Sequence, residues 1–132
     1  MAMTQANGDV VRADGPADVE TAALTAAACL FHGMAERSRL AIVQHLLLGE
    51  HRVVDLTRHL GLAQSTVSKH LACLVDCGLA RVRAEGRASF YSLAHPQATL
   101  GLLSAAEHLL GLTGDAVTLC PSHGADRDEA VR

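Results

Sequence analysis

Apolar residues recur at intervals of three and four along most of the chain, and the period changes at one place. Val19, Ala22, Ala23, Ala26 and Leu30 predict an amphipathic helix over residues 18–33. Leu40, Val43, Leu46 and Leu47 predict a second over residues 36–48, with Gly49 where a left-handed residue commonly ends a helix. A short third helix follows over residues 53–60, closed by Gly61, and a fourth over residues 64–77, closed by Gly78. The period then falls to two. Leu79-Ala80-Arg81-Val82-Arg83 and Ala88-Ser89-Phe90-Tyr91-Ser92-Leu93 flank Glu85-Gly86-Arg87, which reads as a β-hairpin. After His95-Pro96 the helical period resumes with Leu100, Leu103, Ala106 and Leu110 and fades over residues 111–114. The expected fold is mainly α with a small β-hairpin. It occupies residues 18–112, between a disordered arm over residues 1–17 and a flexible polar tail over residues 113–132.

Composition narrows the class. The chain has 132 residues, enough for one compact domain. Phe31, Phe90 and Tyr91 are its only aromatic residues, so a core must come from Leu, Ala and Val, which suits packed helices. No apolar run approaches the roughly 20 residues that span a bilayer, and no charged segment precedes an apolar one at the N-terminus. A cytoplasmic protein without membrane contact is expected, and its four cysteines (Cys29, Cys73, Cys77 and Cys120) should then be reduced thiols. The net charge is −3, but residues 52–92 carry six Arg and Lys against three acids. That local excess suits phosphate contacts, although it also lies within the variation of a solvated face.

Short helix, tight turn, second helix and basic-tipped hairpin together make a winged helix-turn-helix. Such a protein must place a narrow helix in a groove about 12 Å wide, with polar residues at its leading end. Gln64, Ser65, Thr66, Ser68, Lys69 and His70 supply those groups around one apolar residue, Val67, and Arg87 stands at the hairpin tip. An amphipathic surface helix could carry the same residues; the hairpin that follows separates the two readings. Catalysis is not expected. Ser68 and His70 diverge by about 200° on a helix, and neither a Gly-rich phosphate loop nor a marked carboxylate pair is present.

The cysteines raise a second chemistry. With Val67 set to zero and about 100° per residue, Leu71 and Leu74 fall near +40° and −20°, while Cys73 and Cys77 fall near −120° and −80°. Both thiols therefore lie on one flank of the buried stripe, one turn apart, where Cβ atoms are about 5–6 Å from each other. Cysteine also packs as a small hydrophobe, which is how Cys29 reads among its alanines. Two thiolates do not complete a soft-metal site, since three or four donors are usual, and Cys120 in the tail is the natural third. Soft thiolates prefer Cd(II), Pb(II), Hg(II) or As(III), and Zn(II) is compatible. A redox switch through a disulfide or sulfenic acid at Cys73 or Cys77 is the metal-free alternative.

Residues 30–42 (Leu30-Phe31-His32-Gly33-Met34-Ala35-Glu36-Arg37-Ser38-Arg39-Leu40-Ala41-Ile42), Gln64-Ser65-Thr66-Val67-Ser68-Lys69-His70-Leu71 with Leu74 and Gly78-Leu79, and Glu85-Gly86-Arg87 with Phe90-Tyr91-Ser92-Leu93 resemble the ArsR/SmtB family of metal-responsive repressors. The resemblance covers residues 22–112, with Glu36-Arg37 where the family usually has Asp-Pro. It implies a homodimer through the first and last helices, bound to operator double-stranded DNA at an imperfect inverted repeat and released by an inducer. Cys73, Cys77 and Cys120 are similar to the pattern of the cadmium- and lead-sensing (CmtR-like) subclass, in which the tail cysteine comes from the other subunit. The resemblance thus implies Cd(II) or Pb(II) as inducer and repression of a metal-resistance or efflux operon. A family site just before Asp55-Leu56 lacks its cysteine here, the chain having His51, Arg52, Val53 and Val54. A last-helix site, which needs an Asp and a His near 95 and 97 and a His and a Glu near 108 and 111, meets His95, Gln97, His108 and Gly111; only His108 matches it, and a His95/His108 pair is the remnant. His123 is a secondary candidate beside Cys120. His45, His51 and His59 show no convergent partner in the sequence and are expected to be solvated.

Overall fold

The computed structural model describes residues 16–121, which divide into two units, the first ending at His32 and the second beginning at Gly33. In the first, helix α1 (Pro16–Met34) carries Asp18 in its first turn, a charge that complements the helix dipole, and His32 in its last. A single helix has nothing within its own unit against which to bury an apolar face. Val19, Leu24 and Phe31 are accordingly exposed.

The second unit contains α2 (Arg37–Leu47), α3 (Val53–Leu60), α4 (Gln64–Asp76), β1 (Ala80–Glu85), β2 (Ala88–Leu93) and α5 (Pro96–Leu112). These bounds follow local chemistry. Glu36 caps α2, its carboxylate accepting the Arg39 N–H at 3.0 Å. Asp55 accepts the Arg52 N–H at 3.0 Å and closes the N-terminus of α3, while Gly61, at φ 68°, ends that helix in the left-handed region. Gly78, at φ 80°, does the same after α4, and the Leu79 N–H reaches back to the Leu74 carbonyl at 2.9 Å.

Ile42, Val43 and Leu46 of α2, Leu56 of α3 and Val67, Leu71 and Leu74 of α4 form the core, joined by Leu79, Ala80, Leu93 and Leu103. Leu56, Val67, Leu71 and Leu74 are 0 % exposed, so the stripe read from the sequence faces inward. The strands pair antiparallel from Ala80↔Leu93 to Glu85↔Ala88 and turn at Gly86, φ 62°. His51 and Tyr91 exchange backbone hydrogen bonds of 3.0 and 2.8 Å, fixing the α2–α3 connection to β2. Arg83 reinforces this joint with bonds of 2.8 and 2.9 Å to the Glu50 carboxylate. Among the described residues no helix is long and apolar enough to cross a membrane.

Candidate nucleic-acid interface

Helices α3 and α4 are joined by the short turn 61–63, and the N-terminus of α4 faces solvent. Its N-cap, Ala63, has no side chain able to satisfy the first N–H groups, which leaves them for an outside acceptor such as a phosphate. Gln64, Ser65 and Lys69 are exposed and Thr66 and Ser68 half-buried, as a helix buried through Val67, Leu71 and Leu74 requires. Gln64 lines an open cleft of about 480 Å³ with Arg52, Val53, Val54, Arg87, Ala88 and Ser89. The wing tip and the leading end of α4 thus address one space. Arg52 carries no mark in the sequence beyond its place in the basic segment just before α3.

His70 points elsewhere. Its Nδ1 lies 3.3 Å from Arg39 Nη1 and its Nε2 3.6 Å from Glu36 Oε1. The guanidinium can only donate, so Nδ1 accepts and the Nε2–H faces the carboxylate. Arg39 Nε meanwhile donates to the Gly33 carbonyl at 2.7 Å. These contacts fasten α4 to the start of α2, and the ring is turned away from the exposed row of Gln64, Ser65 and Lys69.

Cys73 and Cys77 are both half-buried on the flank of α4, Cys77 being the residue that ends the helix. Gly33 makes room for the second thiol, since a Cβ there would stand 3.0 Å from Cys77 Sγ. Cys120 rests against α5, with Sγ 3.4 Å from Ser104 Oγ and its N–H donating to Glu107 at 2.8 Å. Glu107 also accepts the Leu119 N–H, and Gln44 donates to the Leu119 carbonyl at 2.6 Å. The tail is therefore fastened to α5 and α2 as far as Cys120. Within one protomer the three cysteines do not form a cluster. His95 and His108 are exposed, Cys29 is exposed on α1, and His123 lies outside the described residues.

One expectation is overturned. His45, His51 and His59 are not separate solvated side chains: one ring nitrogen from each lies within 4.8 Å of the other two. Burial, followed by the nearby His59 and His51, holds His45 below the ordinary value of 6.5. The bond from Arg83 holds Glu50 low, and the Arg52 N–H holds Asp55 low. The signs agree. Below about pH 6.5 the unfolded chain takes up a proton that folded His45 refuses, and below the carboxylate range it takes up those refused by Glu50 and Asp55. Stability is expected to be full above pH 6.5, to decline from there, and to decline further below about 4.5. Urea midpoints at pH 8, 6 and 4 check this; a midpoint that rises on acidification contradicts it.

The comparisons with known proteins agree with this geometry. Residues 36–82 match the model described as bacterial regulatory protein, arsR family, a span from the N-cap of α2 into β1. The chain is 37% identical over 101 residues to a probable mercury resistance operon repressor of Streptomyces lividans, covering 74% of this chain and 79% of that protein.

The chain belongs to the ArsR family.

Another member, the regulator CmtR of Mycobacterium tuberculosis, is 36% identical over 107 residues, covering 81% of this chain and 89% of CmtR. The NMR structure of that cadmium metal-sensor aligns at TM-score 0.51 with 38% identity, over 60% of this chain and 85% of CmtR. A homodimeric winged helix-turn-helix DNA-binding domain from Mycobacterium bovis aligns at TM-score 0.64 with 30% identity, over 74% of this chain and 94% of that one. This ArsR-family chain is a transcriptional regulator with a winged helix-turn-helix fold and is not an enzyme.

Proposed function

We propose that this protein is an operator-binding repressor of a metal-resistance or efflux operon, released when a thiophilic ion, Cd(II) or Pb(II), is held by Cys73, Cys77 and Cys120. The observation that carries the reading is the position of Cys73 and Cys77, one turn apart on the half-buried flank of the helix whose leading end is exposed for DNA. Two thiolates on one helical face fit a soft cation and ill suit a hard one. The relatives support the class: one is a cadmium sensor, others are repressors of mercury and arsenical resistance operons.

The working form is a homodimer through α1 and α5, supported by the homodimeric M. bovis domain and by the exposed Val19, Leu24 and Phe31 on one helix and Leu109 and Leu112 on the other. Each protomer presents Gln64, Ser65, Thr66, Ser68 and Lys69 to a major-groove half-site, with Arg87 at the adjoining backbone. His70 serves this surface indirectly, holding α4 in place through Arg39 and Glu36. Cys120 from the partner subunit completes the thiolate set. Drawing it onto Cys73 and Cys77 pulls on α4 and changes the spacing of the two reading helices. Linkage then requires operator DNA to weaken metal affinity by the same factor.

Anaerobic titration of the reduced, metal-free protein with Cd(II), followed by thiolate-to-metal charge-transfer absorption, tests the reading. Saturation is expected at one ion per subunit, weakened by serine at 73, 77 or 120 and untouched by Cys29→Ser. No charge-transfer band, or one that depends on Cys29, rejects it. Hg(II) is the second reading, favoured by the S. lividans repressor, and direct competition between Hg(II) and Cd(II) for operator release ranks them.

The DNA side has its own test. Lys69→Ala and Arg87→Ala are expected to weaken operator and random duplex alike, and each should flatten the slope of log K against log salt by about 0.9 for every phosphate that its side chain neutralises. An unchanged slope would remove either residue from the phosphate-contacting set.

A further inference from the structure

The end of α2, the connection after it and the end of α3 bring three imidazoles to one point. His45 lies in the last turn of α2 and His59 in the last turn of α3, their rings stacked at 4.8 Å between centroids with 13° between planes. His51 meets both edge-on, at 6.0 and 5.8 Å. We propose that His45, His51 and His59 form a second metal site, distinct from the cysteines, for a borderline divalent cation of the Zn(II), Co(II) or Ni(II) kind.

The geometry is close to what such an ion needs. Three nitrogens about 2.0–2.1 Å from one ion stand roughly 3.3–3.6 Å from each other. Here they already lie within 4.8 Å; the stacked rings of His45 and His59 must turn about their side-chain torsions for their in-plane lone pairs to converge on one ion. The tautomer of the central ligand is set in advance. His51 Nδ1 lies 2.8 Å from the Gly49 carbonyl, which can only accept, so Nδ1 carries the proton and Nε2 keeps its lone pair for a metal. Its backbone N–H and carbonyl are both bonded to Tyr91, so the ligand sits on a bridge fixed to β2.

Asp55, the nearby acid, is occupied by the Arg52 N–H and by Arg58 at 3.9 Å, so it stays outside the ligand set. Neutral nitrogen donors without thiolate select borderline ions over the soft ones suited to Cys73 and Cys77, and over hard ions such as Mg(II). Three protein ligands leave a fourth position for water. Bound there, the ion would tie the ends of α2 and α3 beside Arg52, which lines the cleft under the wing.

Untagged, full-length protein carrying Cys73→Ser, Cys77→Ser and Cys120→Ser removes the thiolate set, so the outcome does not depend on the cadmium reading. Co(II) is titrated by visible d–d absorption, and Zn(II) by competition with a chromophoric chelator. One equivalent per chain is expected, with a nitrogen-and-water spectrum lacking sulfur charge transfer. His59→Gln, at an exposed position that the fold tolerates, should weaken binding by at least about 100-fold, since it removes a direct ligand where loss of an outer-shell partner alone costs 10–100-fold. His45→Asn should do the same. His108→Gln should change nothing. Binding that survives His59→Gln, that depends on His108, or that is absent from the cysteine-substituted protein overturns the site.

Discussion

Cys73→Ser and Cys77→Ser, made singly, are expected to leave metal-free operator binding within about twofold of the unmodified protein. Both should raise the Cd(II) concentration that releases the operator by more than the roughly 100-fold upper end seen when a metal site loses an outer-shell partner. The asymmetry follows from where the thiols sit. They flank the buried stripe of α4 without belonging to it, while the exposed row Gln64, Ser65 and Lys69 begins two turns earlier. Serine keeps the shape of cysteine and loses the soft donor, so packing against Gly33 survives and ligation does not. Fluorescence anisotropy of a labelled operator with and without Cd(II) measures both halves. Loss of operator binding without metal in both variants would mean that the thiols hold the reading helix together and do not sense an ion. Cys120→Ser discriminates further. An unchanged response there would confine the site to the pair on α4, as a two-coordinate Hg(II) ion would require.

Leu71→Ala is expected to cost about 2–5 kcal/mol of folding stability, the range for a leucine truncated in a close-packed interior. Leu71 is 0 % exposed on α4, facing a core shared with α2, α3 and the start of the hairpin. A domain of this size has about 5–15 kcal/mol in total, so the variant should be partly unfolded at 37 °C and should lose operator binding with its fold. Urea denaturation gives the number directly, and the midpoint should fall without a change in slope. A loss below about 1 kcal/mol would mean that α4 is not seated as described.

Helix bounds were legible because their determinants are local. Gly61 and Gly78 supply left-handed residues, and the three-and-four period of Val67, Leu71 and Leu74 marks one face whatever lies opposite. Resolving that face left the polar row and the cysteine pair on its other sides, so both candidate sites were readable from spacing on one helix. Arg52 was not legible because a lone arginine in a basic segment carries no direction until the wing is folded beside it.

Other features have no local signature. His45, His51 and His59 are six and eight positions apart on different elements, so no helical or strand period relates them. They meet because the chain reverses after α2 and Tyr91 pins the connection to β2. His70 belongs by sequence to the polar leading segment of α4, yet Arg39 and Glu36 hold its ring from another helix. The polar composition of the tail after Asp115 suggests a free segment, yet Glu107 and Ser104 on α5 and Gln44 on α2 fasten it as far as Cys120. Sequence by itself determined the elements, the reading helix and the flank on which two thiols lie, because hydrophobic period and capping act within a few residues. Tertiary structure alone decided which side chains from separate elements share a point in space, because those contacts depend on how whole helices pack and how the hairpin folds against them.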